Sequence, residues 1–280
     1  MKFQTNNDFK MNQHNCACKG IRTCLLCETF KFTNQSKDNY SNEHEKYIYC
    51  SECRNKAWPS HISDHLFHKD NLDFISIKGI FVANEIINST EELYLVNEID
   101  KIEWTQSQSG RRKQDFGPKV NFKKKKCKIG NFKGFPKFTT FLTEFIKNQF
   151  DCLNNFSPVE LCHLEYCPER GSSIDPHFDD FWLWGERLVT VNLLSQTILT
   201  LNKPNDSEIE IRINLPARSL VVLYDEARYK WHHSIKREDI QSRRIAMTWR
   251  ELTPQFMFGG QYYQQIGKDI LNIAKNQIEY

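Results

Sequence analysis

From about Val159 onward the apolar residues recur at every second position, and that period constrains the fold more than any other feature. Successive side chains of a strand point to opposite faces, so a period of two means strands that bury one face. Six segments carry it: Glu160–Cys167, Arg187–Leu194, Ile198–Leu201, Glu208–Ile213, Leu220–Tyr224 and Ile245–Leu252. Pro168 with Gly171, Pro204-Asn205-Asp206, and Pro216 supply turns between most of them. Short strands with regular turns predict a sandwich or barrel rather than a βαβ layout.

Upstream the period is different. Ser89 can cap a helix over Glu91–Ile102, with Glu92 completing a capping box and Leu93, Val96 and Ile99 at helical spacing. A second helix is expected over Phe138–Phe150, with Phe141, Leu142, Phe145, Ile146 and Phe150 on one broad face. A third is expected at the end, Gln264–Ile278, through Ile266, Ile270, Ile273 and Ala274. The chain of 280 residues is long enough for one large domain with an appendage, and 20 Phe, 10 Tyr and 6 Trp give ample core material. The organisation read from this is a disordered stretch 1–14, a cysteine-rich module 15–54 interrupted by a loop Asn34–Glu45, an extension 55–158 and a β core 159–280. Residues 55–80 hold three histidines and resist assignment.

No apolar run reaches 18 residues, and Met1–His14 lacks a stretch of signal-peptide length. A soluble intracellular protein away from membranes is therefore expected; the expected setting is cytoplasm and nucleus and the expected state a monomer. Between Arg111 and Lys137 there are eleven Lys or Arg against the single acid Asp115. Such a segment can face phosphates, an acidic protein surface or water. Six of the ten cysteines fall in the first fifth of the chain: Cys16, Cys18, Cys24, Cys27, Cys50 and Cys53. Without a secretion signal this argues for metal binding or burial rather than disulfides. Cys16, Cys18, Cys24 and Cys27 are the expected ligands of a structural Zn(II), with Cys50 as a replacement for one of them.

The chemistry concentrates in the β half. His177-Phe178-Asp179 sets an imidazole and a carboxylate two apart on an extended segment, so both can reach one ion. A distant histidine, His232 or His233, completes a three-ligand face for iron, with positions left open for a co-substrate and O2. The two are adjacent, only one can point inward, and strand geometry does not choose between them. Arg244 and Arg250 lie six apart and so share a strand face, their Cα atoms roughly 20 Å apart at about 3.3 Å per residue. A buried arginine needs an anion, and a bidentate carboxylate is a natural one. Iron ligands plus an arginine pair point to an oxygenase that uses 2-oxoglutarate.

Taken together, His177-Phe-Asp179, His233-Ser-Ile235 and Arg244…Arg250 resemble the AlkB family of Fe(II)/2-oxoglutarate dioxygenases. Tyr166-Cys-Pro-Glu-Arg-Gly171 resembles the family's tyrosine-bearing strand, and Cys16–Cys27, Ser107–Phe122 and Trp182–Leu188 are similar to an animal branch of the family. The resemblance selects His233 over His232. It implies a double-stranded β-helix (jelly roll) as the core of a mainly β chain with flanking helices, an α+β arrangement bearing the cysteine-rich appendage. It implies Fe(II) on His177, Asp179 and His233, with 2-oxoglutarate held by Arg244 and Tyr166 and with Arg250 nearer the iron. It implies N-demethylation that releases formaldehyde and succinate. Ser107–Phe122 corresponds to a lid over the substrate, where Arg111, Arg112, Phe116 and Trp182 are candidate contacts. The favoured substrate is monomethyl-lysine in a protein such as actin. The alternatives are N6-methyladenine in DNA and a non-catalytic adaptor for cytoskeletal or chromatin partners. A metal-binding or sugar-binding cupin leaves the arginine pair unexplained.

Overall fold

A computed structural model describes residues 17–18, 24–25, 27–28, 45–62, 64–69, 73–204 and 206–280. The expected disordered stretch 1–14, all of Asn34–Glu45 but its last residue, and Cys16 lie outside the described residues. Strands β1 (Glu45–Cys50), β2 (Lys56–Pro59), β3 (Ile75–Ser76) and β4 (Ile80–Ala83) precede helix α1 (Ser89–Lys101). Then come β5 (Thr105–Gln106), β6 (Arg112–Phe116), β7 (Lys119–Asn121), β8 (Lys126–Lys128), β9 (Phe135–Pro136) and helix α2 (Thr140–Gln149). Next, β10 (Pro158–Tyr166), β11 (Ile174–His177), β12 (Trp184–Leu193), β13 (Thr197–Lys203), β14 (Asp206–Leu215) and β15 (Ser219–Leu223) lead to the short helix α3 (Asp225–Tyr229). The chain closes with β16 (His232–Ile235), β17 (Arg244–Leu252), helix α4 (Lys268–Ile273) and β18 (Gln277–Ile278). The six strands read from the period all form, with ends shifted by up to a few residues. β11 and β16, which carry no such period, were not among them.

The expected double-stranded β-helix is corrected by the strand pairing. Among the described residues there are four sheets, and none closes into a barrel or curls. One large sheet has the order β11-β16-β13-β14-β1-β2-β3, the other β4-β15-β12-β17-β10-β6-β5. The architecture is mixed α/β with several open sheets rather than a mainly β jelly roll. The first half of the chain is the cause. β1 pairs in parallel with β14 and continues into β2 and β3, while β4 on one side and β6 with β5 on the other extend the second sheet. Each of these additions lengthens a sheet at its edge, where closure would have needed the edges to meet.

Two apolar cores result. Leu199, Leu201, Ile211 and Ile213 of the first sheet meet Leu188, Val221, Leu223 and Ala246 of the second. On the other face of the second sheet, Val189, Val191, Met247 and Trp249 pack against Leu95 and Ile99 of α1 and Leu142 and Ile146 of α2. β17 is therefore buried on both faces, which is why Ile245 to Trp249 is almost wholly apolar or small.

The helices differ from expectation in detail. α1 is capped by Asn88, not Ser89: its Oδ1 accepts the Glu91 N–H at 2.9 Å, and the Glu91 carboxylate accepts the Asn88 N–H at 2.9 Å. The shift frees Glu92 to turn inward, where it accepts from the Leu194 N–H at 2.7 Å and from Arg218 at 3.1 Å. Leu95 takes the buried place expected for Leu93, which is exposed. In α2, Leu142 and Ile146 are buried while Phe141 and Phe145 remain partly exposed. The expected helix Gln264–Ile278 is broken into a π-turn over Tyr263–Gly267, α4, and β18, which pairs in parallel with β9. Among the described residues no helix is long and apolar enough to cross a membrane.

Candidate active site

β11 and β16 are antiparallel neighbours with His177 opposite His233, and their rings stand 4.3 Å apart. β11 ends at His177, and two residues on, Asp179 sets its Oδ1 3.6 Å from His177 Nε2. One ligand atom from each of His177, Asp179 and His233 lies within 4.8 Å of the others. Asp175 O accepts from His177 Nδ1 at 2.7 Å, which leaves the Nε2 lone pair facing the cluster. His232, on the opposite face of β16, packs against Phe178 at 4.4 Å instead.

The second oxygen of Asp179 is held from β17. Arg250 donates from Nε to Asp179 Oδ2 at 2.7 Å and from Nη1 to Glu160 Oε2 at 2.5 Å, across the cross-strand pair of Glu160 and Arg250. Burial by itself would push the Asp179 carboxyl up, but Arg250 and the facing histidines more than offset it and hold it well below the usual carboxylate range. Burial together with the neighbouring His177 drives His233 down to about 3, so its imidazole is neutral. One carboxylate and two imidazoles are the donor set that suits Fe(II).

Behind this cluster a small cavity of about 70 Å³ runs between the sheets. Tyr166, Thr190, Arg244 and Thr248 line it together with apolar residues. Arg244 lies over the Tyr166 ring at 4.7 Å and donates from Nε to Asn192 Oδ1 at 2.5 Å. Its Nη1 is buried and has no hydrogen-bond partner among the described residues. Burial lowers the Arg244 guanidinium below its ordinary value, and Tyr166 only partly offsets that. A buried cation without a counter-ion among the described residues, facing a cavity that ends at His177, Asp179 and His233, fits a carboxylate-bearing co-substrate. Arg244 and Arg250 do face the same cavity, but only Arg250 is already paired with acids.

Outside the cluster a larger cavity of about 960 Å³ opens to solvent. Arg111, Phe116 and Phe122 of the basic segment line it with Trp184, Asp115 and Glu160. Two of the sequence candidates lie elsewhere. Arg112 is bound to Glu165 at 2.5 and 2.7 Å and sits over Trp104. Trp182 packs against Phe256 and Tyr262 in the core, and its neighbour Trp184 takes the cavity position.

Sequence reasoning missed Arg228. It is buried, has no carboxylate partner among the described residues, and donates to the carbonyls of Asp179, Asp180, Trp184 and Gly185 at 3.0–3.3 Å. It thereby stitches the loop that carries Asp179 onto α3. Its short context, Asp225-Glu-Ala-Arg-Tyr, carries no signal that would have marked it. The structure also brings together two sulfur-containing clusters. Cys18, Cys24 and Cys27 form one, beside the segment before β6, where Cys18 Sγ accepts the Ser109 N–H at 3.1 Å. The other joins Cys50 and Cys53 to His65 and His68, two histidines that were not expected as ligands.

No family model matches the chain. It is 40% identical over 290 residues to the human protein named alpha-ketoglutarate-dependent dioxygenase alkB homolog 4, covering 92% of this chain and 93% of that one. It is 36% identical over 281 residues to a Caenorhabditis elegans protein named DNA N6-methyl adenine demethylase, covering 94% and 95%. The solved structure of OsALKBH1 shares a TM-score of 0.44 and 11% identity over 62% of this chain and 98% of that one, too slight a likeness to bear on the fold.

Proposed function

The chain belongs to the AlkB family of Fe(II)/2-oxoglutarate-dependent dioxygenases, and on that premise we propose that it oxidatively removes N-methyl groups, with monomethyl-lysine in a protein such as actin as its substrate. The observation that carries the co-substrate reading is the unpartnered Arg244 Nη1 in the cavity behind His177, Asp179 and His233. In this reading His177 Nε2, Asp179 Oδ1 and His233 hold Fe(II). Arg244 and the Tyr166 hydroxyl take the far carboxylate of 2-oxoglutarate. When bound, iron and co-substrate supply the oxidation with O2 that yields succinate and CO2 and turns the methyl group into formaldehyde.

The protein's part is placement and exclusion of water. Arg250 engages Asp179 Oδ2 and so aims Oδ1 at the metal position. Arg228 fixes the backbone of the same loop. Leu188, Leu199, Leu215, Val221 and Leu223 keep the co-substrate cavity dry. For the N-terminal thiols, the reading is a structural Zn(II) held by Cys16, Cys18, Cys24 and Cys27, of which the last three stand together and Cys16 lies outside the described residues.

For the substrate, the lining of the outer cavity supports a cation. Trp184 and Phe122 offer ring faces, and Asp115 and Glu160 offer carboxylates, a combination suited to a methylammonium group. The second reading, N6-methyladenine in DNA, is favoured by Arg111, Lys113 and Lys119 around the same opening. The test is formaldehyde and succinate release by the full chain with Fe(II), 2-oxoglutarate and O2. Methyl-lysine actin peptide and N6-methyladenine DNA are offered in parallel, with Asp179→Ala as the blank. Formaldehyde from the peptide alone supports the first reading and from DNA alone the second; neither product from folded, iron-loaded protein moves the adaptor role to first place.

A further inference from the structure

Cys50 ends β1 and Cys53 lies in the turn that returns to β2. Arg54 and Asn55 adopt left-handed backbone there, φ 47° and 54°, which makes the reversal tight. The turn aims the Cys53 N–H at Cys50 Sγ, 3.4 Å away. Backbone N–H donors to sulfur of this kind suit a thiolate, whose charge they stabilise.

Beyond β2, Asp64 caps a single 3-10 turn, His65–Phe67, by accepting the Leu66 N–H at 3.0 Å. At three residues per turn, positions i and i+3 eclipse, so His65 and His68 project from one face. That face meets the thiols. His65 Nδ1 lies 3.4 Å from Cys50 Sγ and 3.3 Å from Cys53 Sγ, and His68 Nδ1 lies 3.1 Å from Cys53 Sγ. A tetrahedral zinc with bonds of about 2.3 Å to sulfur and 2.0–2.1 Å to nitrogen would set sulfur and nitrogen roughly 3.5 Å apart. The observed edges are close to that figure.

Both rings are held in this orientation from outside the cluster. Ile62 O accepts from His68 Nε2 at 3.0 Å, so the Nδ1 lone pair faces the sulfurs. The His68 ring is buried and stacked on Trp58, centroids 4.2 Å apart and planes 11° from parallel. His65 Nε2 faces Glu52 Oε2 at 3.3 Å. A fixed tautomer, a carboxylate behind a histidine and four converging donors are more than packing alone requires.

We propose that Cys50, Cys53, His65 and His68 bind one structural Zn(II), separate from the iron position and from the thiols of Cys18, Cys24 and Cys27. Two thiolates and two imidazoles favour zinc over the harder iron site, and with all four positions filled by protein the ion has no open place for substrate. Two thiolates balance its charge, which suits a half-buried position. The ion would join the β1–β2 turn to the 3-10 segment and so fasten β1, the strand that pairs with β14, to the rest of its sheet. This inference does not depend on the dioxygenase reading.

The test is zinc content of the full chain by elemental analysis after removal of loosely bound metal. The variant Cys24→Ser/Cys27→Ser leaves this site intact and is expected to retain one equivalent. Cys53→Ser and His68→Asn are each expected to carry one equivalent less than the unaltered chain. If either variant fails to fold, cobalt-loaded Cys24→Ser/Cys27→Ser protein gives the answer by itself: the visible bands of tetrahedral, thiolate-ligated cobalt support the site. A Cys24→Ser/Cys27→Ser chain that holds no zinc, even after reconstitution, overturns it, as does a folded Cys53→Ser chain with undiminished zinc.

Discussion

Arg250 holds Asp179 by the oxygen that does not face the histidines: Nε to Oδ2 is 2.7 Å, while Oδ1 stands 3.6 Å from His177 Nε2. The ion pair thus acts on the orientation of a ligand rather than on the metal position itself. Because Arg250 also binds Glu160 at 2.5 Å, the carboxylate is anchored through β17 to β10, in the middle of the second sheet.

Arg250→Ala should therefore weaken Fe(II) binding by roughly 10- to 100-fold, the usual range for loss of a group that supports a ligand. Arg250→Lys restores a charge without the fork and should recover only part of it. Iron titration of both variants, with thermal melting to confirm the fold, checks this. Unchanged iron affinity in folded Arg250→Ala would remove Arg250 from the site.

How far the site was legible follows from distance along the chain. His177 and Asp179 are two apart, so a local rule of strand geometry was enough to group them, although Asp179 lies just beyond the end of β11. Strand geometry could not separate His233 from His232 and the resemblance made that choice; its physical basis is the register opposite His177, a pairing across 56 residues that periodicity does not contain. His65 and His68 escaped notice because their spacing has meaning only on a helical turn, which the sequence of residues 55–80 did not mark, and the closely spaced cysteines upstream offered a full ligand set. The jelly-roll expectation failed for a related reason. The strands before residue 158 show no period of two, yet they occupy outer positions in both large sheets. Asn88 and Ser89 are equally good caps, and the choice rests on where Glu92 goes.

Arg244→Met removes the guanidinium with its unpartnered Nη1 but keeps much of its length. A charge-assisted bond contributes about 1.5–3 kcal/mol, so the KM for 2-oxoglutarate should rise by roughly 10- to 150-fold. Iron binding should be unaffected, because Arg244 touches none of the three ligands. Succinate release against 2-oxoglutarate concentration measures the first, and iron titration the second. A normal KM would mean that the far carboxylate is held elsewhere.

The fold should lose stability as pH falls below about 6.5, the ordinary histidine value. Burial lowers His163 to about 3 and, with His177, lowers His233 to about 3. Each stays neutral in the folded chain and takes up a proton on unfolding. Stability from this source is full above the unfolded value and is lost progressively as pH drops toward 3, at roughly 1.4 kcal/mol per pH unit for each proton. His163 lies in the core beside Gln114, away from the metal ligands, so His163→Phe should lower the slope by about one proton. Urea unfolding between pH 7.5 and 4.5 reads the slope directly. An identical slope in His163→Phe would mean that this histidine is already protonated in the folded chain.

Charge at the outer cavity should separate the two substrate readings. Asp115 lines that cavity and pairs with Lys113, so Asp115→Lys both removes an anion and frees a cation there. A methylammonium group approaching the new lysine is repelled, and kcat/KM for a methyl-lysine peptide should fall. A DNA phosphate near the same place is attracted, so turnover of N6-methyladenine DNA should be unchanged or rise. Asp115 is exposed, so the effect should be moderate and should shrink with salt, since the Debye length is about 8 Å at physiological ionic strength. The measurement is formaldehyde release from both substrates at two salt concentrations, normalised to the unaltered chain. The peptide and DNA responses should differ, which a general loss of stability, lowering both alike, does not imitate. A fall for the peptide that salt relieves supports the cationic substrate, and a gain for DNA with no fall for the peptide transfers the assignment to nucleic acid.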